Sequence, residues 1–101
     1  QDTTIAIQSW QNVDAAIQIF PNPITNYAIV EVSIPDYHGD LHITIIDMFG
    51  HDVSSSCNVS KTGYTNGKYQ FKLENTYLAP GNYQFVVADK KVLGAQQFLV
   101  L

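Results

Sequence analysis

The chain has 101 residues, 46% hydrophobic and 14% charged, and nine carboxylates against five lysines leave a net charge of −4. That length sets one domain, and without a single arginine the surface lacks the basic footprint that phosphate backbones or anionic lipids require, which excludes nucleic-acid partners. The lone cysteine, Cys57, provides neither a disulfide framework nor the clustered ligands of a structural zinc site, so an apolar core has to carry the stability.

Residues 1–16 read as a linker with a short strand: Ile5, Ile7 and Trp10 are spaced for one, whereas Gln11–Ala16 is small and polar. The domain boundary falls before Ile17, giving a domain over 17–101. Gln1–Trp10 lacks the charged start and apolar run of a signal peptide, so export would require one on a longer precursor. A weak strand, Ile17–Phe20, runs to Pro21. Tyr27–Ile34 then alternates, with Ala28, Val30, Val32 and Ile34 on one face and Tyr27, Ile29, Glu31 and Ser33 on the other. Leu41–Asp47 repeats the pattern, with Leu41, Ile43 and Ile45 inward and His42 and Thr44 outward, before the Asp47–Gly50 turn. Val53–Val59 is a weaker candidate diluted by three serines, and Asn66-Gly67 is a tight-turn signal. Tyr69, Phe71 and Leu73 alternate with Gln70 and Lys72. Tyr83–Ala88 contains the apolar run Phe85-Val86-Val87, which suits a strand covered on both faces, and Phe98–Leu101 forms another. Asp89-Lys90-Lys91 fits a hairpin loop between these two. Short alternating strands with turn signals predict an all-β fold, an antiparallel sandwich.

Chemistry is sparse. His38, His42 and His51 lie near Asp36, Asp40, Asp47 and Asp52, but none of the pairs has the helical spacing of a zincin and His42 faces solvent, so no metal is expected. Ser54-Ser55-Ser56-Cys57 has no glycine-framed elbow, and Cys57 reads as a small buried thiol. Asp36 and Asp40 flank a loop and solvate it. Asn58-Val59-Ser60 matches a glycosylation sequon, a short pattern that often arises by chance. Tyr37, Tyr64 and Tyr77 suggest a sugar-stacking platform, the feature of a second reading: an accessory immunoglobulin-like or carbohydrate-binding module of a secreted enzyme. No catalytic residues and no cofactor are expected.

The punctuation is more specific. Pro21-Asn22-Pro23 follows Ile19-Phe20; the prolines fix φ and remove two ladder donors, which stops one strand and aims the chain into the next. Asp47 can bond the turn backbone while Gly50 supplies a positive φ. Leu78-Ala79-Pro80-Gly81-Asn82-Tyr83 places Pro80-Gly81 at the centre of a type II turn, with Leu78 and Tyr83 packing inward on either side. The chain then ends in the apolar strand Gln97-Phe98-Leu99-Val100-Leu101.

In this order, over residues 17–101, the set resembles the C-terminal sorting domain of cargo proteins of the type IX secretion system of Bacteroidetes-type bacteria. The resemblance implies an immunoglobulin-like antiparallel β-sandwich of about seven strands that directs a fused N-terminal cargo domain across the outer membrane. It implies recognition in the periplasm by shuttle proteins and the translocon, then a place at the cell surface or outside. It also implies removal by a surface sortase, here within Trp10–Ala16. Members often carry lysine where this chain has Gln97 and a basic residue where it has His51, which weakens the case for charge contacts there. Recognition of the terminal strand by edge-on strand addition is the expectation. In the isolated domain, Ile5–Trp10 adding to a sheet edge of a neighbouring copy would give a strand-exchanged dimer.

Overall fold

The computed structural model describes residues 15–35, 37 and 39–101. Seven strands, β1 (Ala16–Phe20), β2 (Tyr27–Ser33), β3 (His42–Asp47), β4 (Cys57–Thr65), β5 (Lys68–Asn75), β6 (Gly81–Ala88) and β7 (Val92–Val100), form two antiparallel sheets. One has the order β1-β2-β5-β4 and the other β3-β6-β7. The fold is an all-β antiparallel sandwich, as its alternating strands predict, with the seven strands that the resemblance to immunoglobulin-like sorting domains implies.

Burial follows the alternation. Ala28, Val30 and Val32 of β2 are fully buried, Ile34 continues the inner row, and Tyr69, Phe71 and Leu73 of β5 are buried beside them. From the facing sheet Ile45, Phe85, Val87, Phe98 and Val100 complete the core. Phe71 and Phe85 meet across the layers with ring centroids 6.1 Å apart. Full burial of a side chain such as Phe85 contributes about 1.5–3 kcal/mol. Val86, between two inward residues, is also buried, so β6 is covered on both faces.

Asn66 and Gly67 take φ of 52° and 79°, the two positive angles of a two-residue hairpin turn between β4 and β5. The Asp89–Lys91 hairpin closes with the Asp89 amide donating to the Lys91 carbonyl at 3.0 Å.

Two expectations shift. The serine-rich stretch expected within a strand forms a short 3-10 turn, Ser54–Ser56, and β4 begins only at Cys57 and runs on to Thr65. Its outer position in the sheet leaves most of its side chains exposed, so no apolar rhythm marks it. The last strand starts at Val92, six residues before Phe98, because it pairs with β6 from Ala88 onward; Gly94, Ala95, Gln96 and Gln97 interrupt the apolar run and hide that stretch in the sequence. Ile5–Trp10, most of the Gln11–Ala16 linker, Asp36 and His38 lie outside the described residues.

Candidate functional site

The registers bring the motifs to one end of the sandwich. Tyr27 at the start of β2 pairs with Glu74 near the end of β5. Asp47 at the end of β3 pairs with Tyr83, and Gly81 at the start of β6 pairs with Val100 at the end of β7. Segments 21–26, 48–51 and 76–80 therefore all leave the strands at the same end as Leu101. A parallel bridge between Ile24 and Val100 ties the two sheets together there.

Pro21-Asn22-Pro23 forms one half of that tie. Asn22 Oδ1 accepts from the Leu99 amide at 2.9 Å. The Ile24 amide donates to the Leu99 carbonyl at 2.8 Å, and the Leu101 amide donates to the Ile24 carbonyl at 3.0 Å. The prolines have no N–H to offer, so the asparagine side chain and the Ile24 backbone make the whole join. Ile24 is fully buried. Along Leu99–Leu101 the outer edge of β7 is thus occupied by the chain itself, and at the other end of the strand the Ala15 amide donates to the Leu93 carbonyl at 3.0 Å. Strand addition to this edge would have to displace buried Ile24.

The Asp47 turn is the second element. Asp47 Oδ1 accepts from the amides of Phe49 at 2.9 Å and His51 at 2.8 Å, and the Gly50 amide donates to the Asp47 carbonyl at 3.1 Å. Gly50 has φ 88°, as the turn requires. Hydrogen bonds from the His51 and Phe49 backbone hold the Asp47 carboxyl below its ordinary range, with the His51 ring 3.3 Å away. This locked turn exposes Met48 and Phe49, 68% and 78% accessible.

Leu78 and Tyr83 are buried, as expected, and the Tyr83 ring stacks on Phe98 at 5.7 Å. Its hydroxyl donates to the Ala79 carbonyl. Gly81 departs from the type II expectation: its φ of 153° is far from the roughly +80° of that turn, and it opens β6 directly after Pro80. Asp47, Met48, Asn82, Tyr83, Gln84 and Gln97 line a cleft of about 250 Å³, which joins the Asp47 turn, the Gly81–Tyr83 segment and the terminal strand. Gln97 Nε2 donates to Asn82 Oδ1 at 3.1 Å on its wall. Gln84 Oε1 is buried with no hydrogen-bond partner in the chain. No sign in the sequence places Ile24 in the join, or Asn82, visible there only as part of the Leu78–Tyr83 motif, and Gln84 in the cleft; Ile24 leaves a trace as a lone aliphatic directly after Pro23.

Other candidates are dispersed. His51 serves the Asp47 turn. Ser54 Oγ accepts from the Ile45 amide at 2.9 Å and Asp52 Oδ1 from the Ser54 amide at 2.9 Å, both structural roles. Burial pushes the Cys57 thiol up to about 11, with nearby Asp52 adding to the shift. Asn58 Nδ2 donates to Glu74 at 3.3 Å. Tyr37, Tyr64 and Tyr77 do not form one platform. The Tyr64 hydroxyl donates to the Tyr37 carbonyl at 2.8 Å near the β4–β5 turn, whereas Tyr77 follows β5 at the opposite end. The described residues contain no group of three or more side chains suited to a metal ion.

The fold and its converging turns define a β-sandwich module whose organised features lie at one end. The family model for the secretion system C-terminal sorting domain matches residues 18–100, and the chain belongs to that family. A search of curated proteins finds no match. The chain therefore carries a type IX C-terminal sorting signal, which implies contact with the secretion machinery, a cargo on its N-terminal side and export to the cell surface or beyond.

Proposed function

We propose that this domain is a non-catalytic address, read as a folded shape by the periplasmic shuttle proteins and the type IX translocon, and then removed by a surface sortase within Trp10–Ala16. The observation that carries the reading is the join of Pro21-Asn22-Pro23 to the terminal strand through Asn22 and Leu99. Segments at the two ends of the family match become one surface, and they do so only in the folded chain. Pro21, Asn22, Pro23, Asp47, Gly50, Leu78, Pro80, Gly81, Tyr83, Gln97, Phe98, Leu99 and Val100 build that surface by shape and backbone bonding.

The test is a fluorescent periplasmic reporter carrying residues 1–101, produced in a type IX-competent host and in the same host without the translocon. Reporter outside the first cells and periplasmic in the second is the expected result. Periplasmic retention in both, while a known cargo leaves the competent host, overturns the reading. Mass spectrometry of the released reporter locates the cleavage, and an end outside Trp10–Ala16 removes the sortase assignment.

A further inference from the structure

The same end of the sandwich carries an unusual concentration of exposed apolar side chains. Among the described residues, the large apolar side chains left exposed are Phe20, Tyr27, Met48, Phe49, Tyr64, Tyr77 and Leu101, and all but Tyr64 belong to the segments that converge at the motif end. Scattered exposed apolar residues are ordinary, whereas two adjacent ones held out on one fixed turn call for an explanation. Met48 and Phe49 stand out further. Their turn is fixed by the three Asp47 side-chain bonds to Phe49 and His51 and by Gly50, so the two side chains are held out in water by a built device.

Charge and hydrogen bonding narrow the partner. Of the five lysines only Lys72 reaches this end, its ammonium 5.0 Å from the Tyr27 ring and paired with Glu74 at 3.6 Å, whereas Asp47, Asp52 and Glu74 all lie in its segments, which leaves the end net negative. An anionic lipid surface is disfavoured by that sign. Beside Met48, the cleft of about 250 Å³ is lined by Asp47, whose carboxylate carries the negative charge there, and by Gln84, whose Oε1 is buried without a hydrogen-bond partner in the chain. A buried acceptor left without a donor costs free energy that a partner's N–H would recover.

Resting on the sorting reading above, we infer that Met48 and Phe49 are docking knobs for a receptor protein, seating in an apolar recess while a lysine or arginine beside that recess enters the cleft between Met48 and Gln97. The knobs supply apolar area, and the cleft's acceptors take the cation, whose stem lies along Met48. Tight burial of two such side chains is worth well over tenfold in affinity.

The test uses the full-length reporter fusion in the competent host with three forms: the parent, the double variant Met48→Ser/Phe49→Ser, and Gln84→Leu. Thermal unfolding of each purified 101-residue chain checks that the fold persists, which the exposure of Met48 and Phe49 leads us to expect. The exported fraction should fall on the order of tenfold in the double variant and severalfold in Gln84→Leu, with folded protein accumulating in the periplasm. Export of both variants at the parent level overturns the inference and leaves the sorting reading standing. Failure of the parent itself to leave the cell overturns both. Phe49-dependent binding of the purified chain to phosphatidylcholine vesicles, or Phe49-dependent dimerisation in light scattering, assigns the knobs to lipid or to a second copy and overturns the receptor inference.

Discussion

The Leu99 amide donates to Asn22 Oδ1 at 2.9 Å across a sequence separation of 77 residues, and with the two Ile24 backbone bonds it fastens the proline motif to the terminal strand. The bond lies near the surface, where a neutral hydrogen bond contributes about 1 kcal/mol. Asn22→Ala should therefore lower stability by about that amount, and Asn22→Asp, which keeps the acceptor, by less. Ile24→Ala, at a fully buried position in the same segment, should cost about 2–5 kcal/mol. Urea unfolding of the three variants measures the ranking; an Asn22→Ala loss as large as that of Ile24→Ala would contradict it.

Two glycines with similar angles should respond differently. Gly50 at φ 88° has open space where a Cβ would lie, so Gly50→Ala bears only the cost of a positive φ, about 1 kcal/mol. At Gly67, φ 79°, a Cβ would come 2.5 Å from the Ile34 carbonyl oxygen, and Ile34 is held there by its amide, which donates to the Gly67 carbonyl at 2.8 Å. Gly67→Ala should cost more than about 2 kcal/mol, read as a lower thermal midpoint than that of Gly50→Ala.

Acid should loosen the turns. Asp47 is lowered first by the His51 backbone, Asp52 first by the Ser54 hydroxyl and Asp89 first by the Lys91 backbone. A carboxyl whose folded pKa lies below its unfolded value, near 4, adds stability that is complete above that value. This stability disappears as the pH falls through the folded pKa. The urea midpoint should thus drop between about pH 5 and pH 3. The drop should be shallower in Asp47→Asn, which keeps an acceptor oxygen and loses the titration. An identical pH profile for Asp47→Asn would refute the Asp47 contribution.

Cys57 should be chemically quiet. With its pKa pushed to about 11 by burial and Asp52, the thiolate fraction near neutral pH is on the order of a hundredfold below that of a free cysteine. Alkylation of the folded chain by iodoacetamide, followed by mass, should be slower than that of the urea-unfolded chain by at least that ratio. Equal rates would show the thiol to be open.

Legibility in the sequence tracked burial. Tyr27–Ile34 and Tyr69–Leu73 could be read residue by residue because one face of each meets the core and the other meets water, so period two is written directly into the composition. The Asn66-Gly67 hairpin and the Asp47–Gly50 turn were legible because positive φ selects few residue types. β4 was not, since an outer strand with most of its side chains in solvent has no apolar rhythm to display. The start of β7 was hidden by Gly94, where a Cβ would approach the Ala15 Cβ to 2.9 Å; the glycine that breaks the pattern is there to admit the neighbouring segment. The site shows the same division. Each motif was visible as local turn chemistry, but Asn22 meeting Leu99, or Gln97 sharing a cleft with Asp47, depends on strand order, which local patterns do not encode.

The most direct measurement is the exported fraction of the periplasmic reporter ending in residues 1–101, set against the same reporter ending at Gln96 in the same type IX-competent host. Removing residues 97–101 takes away Leu99, the partner of Asn22 and Ile24, together with buried Phe98 and Val100. Secretion of the complete form and periplasmic retention of the shortened form is the predicted result. Equal secretion of the two would contradict the claim that the surface joined at Asn22 and Leu99 is what the machinery reads.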